Sequence, residues 1–392
     1  MTPAPPALPA TPASATPAPD RHAEFLGRRY FPALDGLRGL AILAVLWHHA
    51  LPRPESGWIG RGHVGVRLFF ALSGFLITAR LLAERRATGE VALGRFWMRR
   101  ALRIFPLYYA VLALFALYLG QRPGAAGSAH FFDNLLFHAS YTSNWFVDYQ
   151  VPHPVWFAFG WSLATEEQFY AWWPPLASAL RRSTAMLVLL AVLALQQLAV
   201  YEALGLSGTP LRICASLAPA LSLGALLGLA LEQRALFEPL WALFGKFPAL
   251  CASGLALALA WLIGSGAGAP LWLDLAFTAL VASALLAPTS WLGRTCSAPA
   301  LREMGRVSYG IYLFHVPLLG LLRRLSPWLA ERPGVLFVLA LGLSLAAAEL
   351  SYRYVEWPLL QLARRRFSVR LDRPDSRPVL AWSSTDSRRL GT

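Results

Sequence analysis

The sequence predicts an all-α polytopic membrane protein of about ten transmembrane helices, with both termini in the cytosol. Three observations carry this. Of its 392 residues, 56 % are hydrophobic and only 14 % are charged, far more apolar than a soluble domain of this size. The apolar residues fall in runs close to the roughly 20 residues that span a bilayer as a helix. The basic residues cluster between those runs with the one-sided bias of the positive-inside rule.

Ten runs follow in order. The first extends from about Asp35 to Pro52, the second from Val64 to Leu82 and the third from Ile104 to Leu119. A loop rich in aromatic and polar residues, about Gly120 to Pro154, leads to the fourth, Val155 to Ala179. The next four lie near 184–203, 211–231, 247–264 and 271–288; the ninth runs from Val307 to Leu322 and the tenth from Val335 to Val355. With the N-terminus inside, Arg21/Arg28/Arg29, the cluster from Arg85 to Arg103, Arg181/Arg182, Arg234/Lys246, Arg294/Arg302/Arg306 and Arg364/Arg365/Arg366 all face the cytosol. Arg53, Arg61, Arg122 and Arg332 oppose that bias without reversing it. The expected organisation is a disordered cytosolic tail over 1–29, a membrane domain over 30–363 and a disordered basic tail over 364–392. The start of the chain lacks the basic and apolar segments of a secretory signal.

The net charge of +14 comes almost wholly from arginine, Lys246 being the one lysine. Its clustering between apolar runs, with no stripe on a soluble face, argues against nucleic acid as a partner. Cys214, Cys251 and Cys296 stand singly, so neither a disulfide framework nor a zinc site is expected.

Ionisable groups in spanning helices are costly, so each is a candidate for function. On the first helix Arg38 and His49 are eleven residues apart, which places them on one face about 16 Å from each other. Asp35 lies one turn from Arg38 and can pair with it, while His48 points about 100° away from His49. A lone membrane histidine more often serves as a structural hydrogen bonder; the co-facial arginine favours a chemical role for His49. Ser73 and Gly74 on the second helix suit close helix packing. Arg100 and Arg103, one turn apart at the start of the third, suit cytosolic anchoring or a phosphate clamp. Glu166 and Glu167 open the fourth helix at the expected outer surface, either as caps or as part of an acceptor face with Trp161, Tyr170 and Trp172. Ser308 and His315 share a face of the ninth helix, and on the tenth Arg353 can pair with Glu349 or Glu356.

Six stretches then stand out in order: YFPALDGLRGLAILAVLWHHA, GVRLFFALSGFLIT, FWMRRALRIFPLYY, WSLATEEQFYAWWP, VSYGIYLFHVP and YRYVEWPL. Together they resemble the acyltransferase 3 family of membrane-bound O-acyltransferases, over about Tyr30 to Leu359. The resemblance implies a ten-helix enzyme of the bacterial inner membrane that moves an acyl group, with acetyl expected, from cytosolic acyl-CoA to a hydroxyl of a carbohydrate or glycosylated acceptor. The family's Arg-x10-His pattern falls on Arg38 and His49, its Phe-Phe-x-x-Ser-Gly on Phe69, Phe70, Ser73 and Gly74, its Arg-x-x-Arg on Arg100 and Arg103, and its acidic position on Glu166.

It follows that His49 is expected as general base, since an alcohol is a poor nucleophile and imidazole has a suitable pKa. Arg38, Asp35 and Glu166 are expected beside it in catalysis. Arg100, Arg103, Ser73 and Gly74 are expected to hold the donor, acyl-CoA, with no metal. Some family members carry a further extracytoplasmic domain; here acceptor recognition is expected to come from the membrane core or its loops. The alternative is a proton-coupled transporter of a small molecule or glycolipid, against which the lack of an internal repeat counts. Oligomeric state is left open by the sequence.

Overall fold

In a computed structural model, residues 20–28, 30–51, 64–248, 252, 254–255 and 271–367 are described, and all regular structure among them is helical. The principal helices are α1 Arg21–Gly27, α2 Pro32–Ala50, α3 Gly65–Thr88, α4 Leu93–Gly120, α5 Gly160–Ala179, α6 Arg182–Val200, α7 Pro219–Leu231, α8 Leu271–Leu286, α9 Ser308–Leu325 and α10 Pro333–Ser351. Their ends follow local chemistry. Pro32 opens α2, where its missing N–H costs nothing, and Asp35 in the first turn complements the helix dipole. Gly89 closes α3 at φ 85°, a left-handed cap whose N–H reaches the Arg85 carbonyl at 2.9 Å.

Five helices among the described residues are long and apolar enough to cross a membrane: α3, α4, α6, Gly208–Leu231 and Pro333–Phe367. A sixth results if α1 and α2, bent by 64° to each other, form one broken span. The expectation of ten is thus met only in part. The fourth, eighth and ninth runs do form helices, but α5 carries Glu166 and Glu167, α8 is 16 residues long, and α9 ends in Arg323 and Arg324. The seventh run lies largely outside the described residues. Residues 21–27, expected within a disordered tail, instead form α1, which buries His22 and Phe25 against Phe237.

The peripheral helices α6 and α10 expose Leu187, Leu190, Leu198, Val338 and Leu343. A lipid phase covers such faces. The centre is α2 and α3, where Leu37, Ile42, Val45, Leu46, Ala71 and Leu72 are fully buried. Two glycine contacts set how closely the central helices approach. A Cβ on Gly74 would stand 2.0 Å from the Leu221 carbonyl oxygen of α7, and one on Gly305 would stand 1.8 Å from that of Asp35. Backbone therefore packs on backbone at both crossings.

The segment between α4 and α5 folds into three short helices, Ser128–Asp133, Leu135–Ala139 and Ser143–Phe146. Tyr108 and Tyr109 of α4 hold it by donating to the His138 and Ala139 carbonyls at 2.8 Å each. Tyr108 also stacks on Tyr141 with ring centres 4.3 Å apart.

Candidate active site

Five helices converge on one cavity. α2 contributes Arg38, α3 Phe70 and Ser73, α4 Arg100 and Arg103, α5 Ser162 and Glu166, and α9 Tyr309 and Tyr312. Inside it Glu166 accepts from the hydroxyl groups of Ser73 and Tyr170, the latter at 2.8 Å. The Arg100 guanidinium sits 3.8 Å from the Tyr170 ring centre, a cation–π contact, and its Nε lies 4.0 Å from Glu167. Arg38 is 8 % exposed. Asp35 and Glu166 supply the charges that oppose it, and Arg100 the like charge. Tyr312 donates to the Phe159 carbonyl at 2.8 Å, which leaves its oxygen to accept from Ser162 at 2.6 Å.

The sequence places Glu166 at the outer entrance and Arg100 and Arg103 at the cytosolic face. The structure puts all three in this one cavity, because the first turns of α5 run beside α3 and α4. Gly74 faces α7 at the helix crossing, the close packing that its small size suits, while its neighbour Ser73 lines the cavity. Asp35 and Arg103 border a second, wider cavity, where Asp35 accepts from the Tyr30 hydroxyl at 2.8 Å. Arg353 resolves to Glu349 at 2.6 Å, and Glu349 also takes Arg306 at 2.6 Å. Glu356 borders the wider cavity instead.

His49 lies eleven residues further along α2 than Arg38, about 16 Å by helical rise, and beside a different set of groups. Its Nδ1 is 2.9 Å from the Val45 carbonyl oxygen and 3.3 Å from Nε2 of His315. The Nδ1 of His315 is 2.6 Å from the Tyr312 carbonyl oxygen. Carbonyl oxygens only accept, so both Nδ1 atoms carry hydrogen. In the neutral rings His315 Nε2 is then an acceptor, His49 Nδ1–H is shared between Val45 and His315, and His49 Nε2 presents its lone pair. Arg323 closes the end of α2 by donating to the His49 and Ala50 carbonyls at 2.7 and 3.2 Å.

Sequence reasoning placed His315 with Ser308 but not with His49, from which it is 266 residues distant. Two further residues went unnoticed. Arg80 is seven residues after Ser73, a helical spacing that puts both on one side of α3. Tyr312 is four after Ser308, so it too shares that side of α9.

The geometry can be set beside known proteins. Residues 31–353 match the family model described as Acyltransferase domain. The peptidoglycan O-acetyltransferase OatA of Listeria monocytogenes is 28 % identical over 359 residues, covering 85 % of this chain and 56 % of that protein. The putative peptidoglycan O-acetyltransferase YrhL of Bacillus subtilis is 29 % identical over 385 residues, covering 88 % and 57 %. A putative O-acetyltransferase of Staphylococcus aureus strain COL is 27 % identical over 362 residues, covering 84 % and 57 %. The chain therefore spans a little over half the length of these relatives. No solved structure matches it.

Proposed function

The chain belongs to the acyltransferase 3 family, and on that premise we propose that it moves an acyl group, acetyl in the simplest case, from acyl-CoA to a hydroxyl of a carbohydrate acceptor, with His49 as general base. The relatives named for peptidoglycan make a cell-wall glycan the first acceptor to test, and a bacterial inner membrane is the setting this reading assigns. The observation that carries it is the hydrogen-bond order Tyr312 carbonyl, His315, His49, which leaves Nε2 of His49 free to take a proton.

In this reaction Nε2 of His49 accepts the acceptor's hydroxyl proton as that oxygen bonds to the thioester carbonyl carbon. The C–S bond then breaks, and the departing thiolate takes the proton from the imidazolium. An ester and a free thiol result, and His49 returns to its starting state. The Val45 carbonyl and His315 together hold the tautomer that makes this possible, as orienting partners do for other catalytic imidazoles.

Arg38 is too far along α2 to reach the same carbonyl, so its role is to hold the donor arm. Glu166, tied to Ser73 and Tyr170, keeps the charges of Arg38 and Arg100 compensated. Arg100 is built into the wall through Tyr170 and Glu167, and Arg103, which lines both cavities, is the arginine of the pair this reading assigns to phosphate.

The test is acyl transfer by purified protein in liposomes supplied with labelled acetyl-CoA and glycan. His49→Ala is expected to abolish transfer and His48→Ala to retain most of it. Full transfer by a correctly inserted His49→Ala protein overturns the assignment.

A further inference from the structure

His49 stands at the end of the bundle where α2 and α9 terminate, and three arginines stand there with it. We propose that this end receives an acidic glycan, whose carboxylate is held by Arg122, Arg323 and Arg324 while a neighbouring hydroxyl meets His49; this rests on the acyl-transfer reading above and names the class of its acceptor.

The first observation is convergence. Arg122 lies just past α4, and Arg323 and Arg324 stand in the last turn of α9. The Arg324 guanidinium is 5.1 Å from the Tyr118 ring centre and 5.7 Å from that of Trp156, and Arg122 is 4.3 Å from the same Tyr118 ring. Arg323 reaches back to α2, where it donates to the His49 and Ala50 carbonyls. Two guanidinium groups thus share one phenol ring, and a third touches the residue assigned to the chemistry.

The second observation is charge. Arginine at this end runs against the positive-inside bias. At the opposite end of the bundle the arginines are matched by acids: Arg86 by Glu232, Arg99 by Glu84 at 3.3 Å, and Arg306 by Glu303 and Glu349. Among the described residues, no carboxylate lies within ion-pair distance of Arg122, Arg323 or Arg324. Arg332 is set apart from them, stacked 4.2 Å from the ring centre of the exposed Trp328, as an interfacial anchor would be.

The third is donor capacity. Both Arg323 bonds leave from Nη2, and its Nε and Nη1 make no hydrogen bond among the described residues. A guanidinium carries five N–H donors in a planar fork that matches a carboxylate. The chemistry points the same way. When His49 takes the hydroxyl proton it becomes a cation near Arg323, and like charges in proximity disfavour that state. A carboxylate carried on the acceptor offsets the repulsion at the step where it arises.

Arginines near a membrane surface can also hold anionic lipid, so the experiment separates the two. The full chain in zwitterionic lipid nanodiscs is titrated with a muramic-acid-containing glycan fragment bearing free carboxylates and with the same fragment amidated at those groups. The acidic fragment is expected to bind roughly tenfold or more tighter, a preference that shrinks as salt is raised. Arg324→Gln with Arg122→Gln is expected to bring the ratio close to one, and Arg324→Lys to keep part of it; thermal unfolding verifies that each variant is folded. Equal binding of the two fragments, binding of neither, or an unchanged ratio in the folded double variant overturns the proposal. So does an Arg324-dependent stabilisation by phosphatidylglycerol without any glycan preference, which assigns the arginines to the lipid surface. Transfer activity in His49→Ala sinks the general-base reading and leaves the acid preference in binding standing.

Discussion

Nε2 of His315 stands 3.3 Å from Nδ1 of His49, joining two helices whose histidines are 266 residues apart in the chain. The contact orders a short proton arrangement that ends at the Tyr312 carbonyl. The Val45 carbonyl requires hydrogen on the same Nδ1, and His315 adds a second acceptor to it, so both contacts leave Nε2 as the unprotonated nitrogen of the neutral His49 ring.

Replacing His315 with Phe keeps the bulk and removes both polar contacts. kcat is expected to fall roughly a hundredfold, within the range that general-base catalysis contributes, with donor KM little changed. His315→Gln, whose amide can still present an acceptor to His49, is expected to recover part of the loss. Steady-state kinetics in liposomes read both; equal losses in kcat for Phe and Gln count against the orienting role.

Glu166→Gln keeps an oxygen that accepts from Ser73 and Tyr170 but removes the charge opposing Arg38. Donor KM is expected to shift by about tenfold, the size of one charge-assisted hydrogen bond. Ser73→Ala, which leaves the carboxylate charged, should shift it less. A Ser73→Ala effect larger than that of Glu166→Gln points to the serine as the ligand-facing group.

Gly74→Ala tests packing against ligand contact. The added Cβ meets the Leu221 carbonyl, so α3 and α7 must separate, and a loss of about 2 to 3 kcal/mol is expected. Thermal unfolding in detergent measures it. Unchanged stability with lost donor affinity restores Gly74 to the donor site.

The buried carboxylate of Asp274 pairs with Arg67 at 2.6 Å. Asp274→Ala leaves the partly exposed Arg67 without its buried partner and is expected to destabilise by about 2 kcal/mol. The double change Asp274→Ala with Arg67→Met should regain most of the loss, read by the same unfolding assay.

Much of this molecule is legible in the chain, because the relevant signals are local. Hydropathy over some twenty residues marks α3, α4, α6 and α10 as membrane helices, and a spacing of three, four or seven residues assigns Arg38, Ser73 and Arg103 to one helix face each. The exceptions are instructive. α5 and α9 read as spans, yet neither is among the helices long and apolar enough to cross a membrane. α1 reads as tail, since seven residues with one buried phenylalanine and one buried histidine carry little periodic signal.

What only the tertiary structure decided is which faces meet. Glu166 joins Ser73 and Arg100, Gly74 turns to α7, and His315 finds His49 in place of Ser308's cavity. No local pattern encodes such pairings. They arise where backbone can approach closely at glycine and where each buried charge must find a partner among helices brought together from distant parts of the chain.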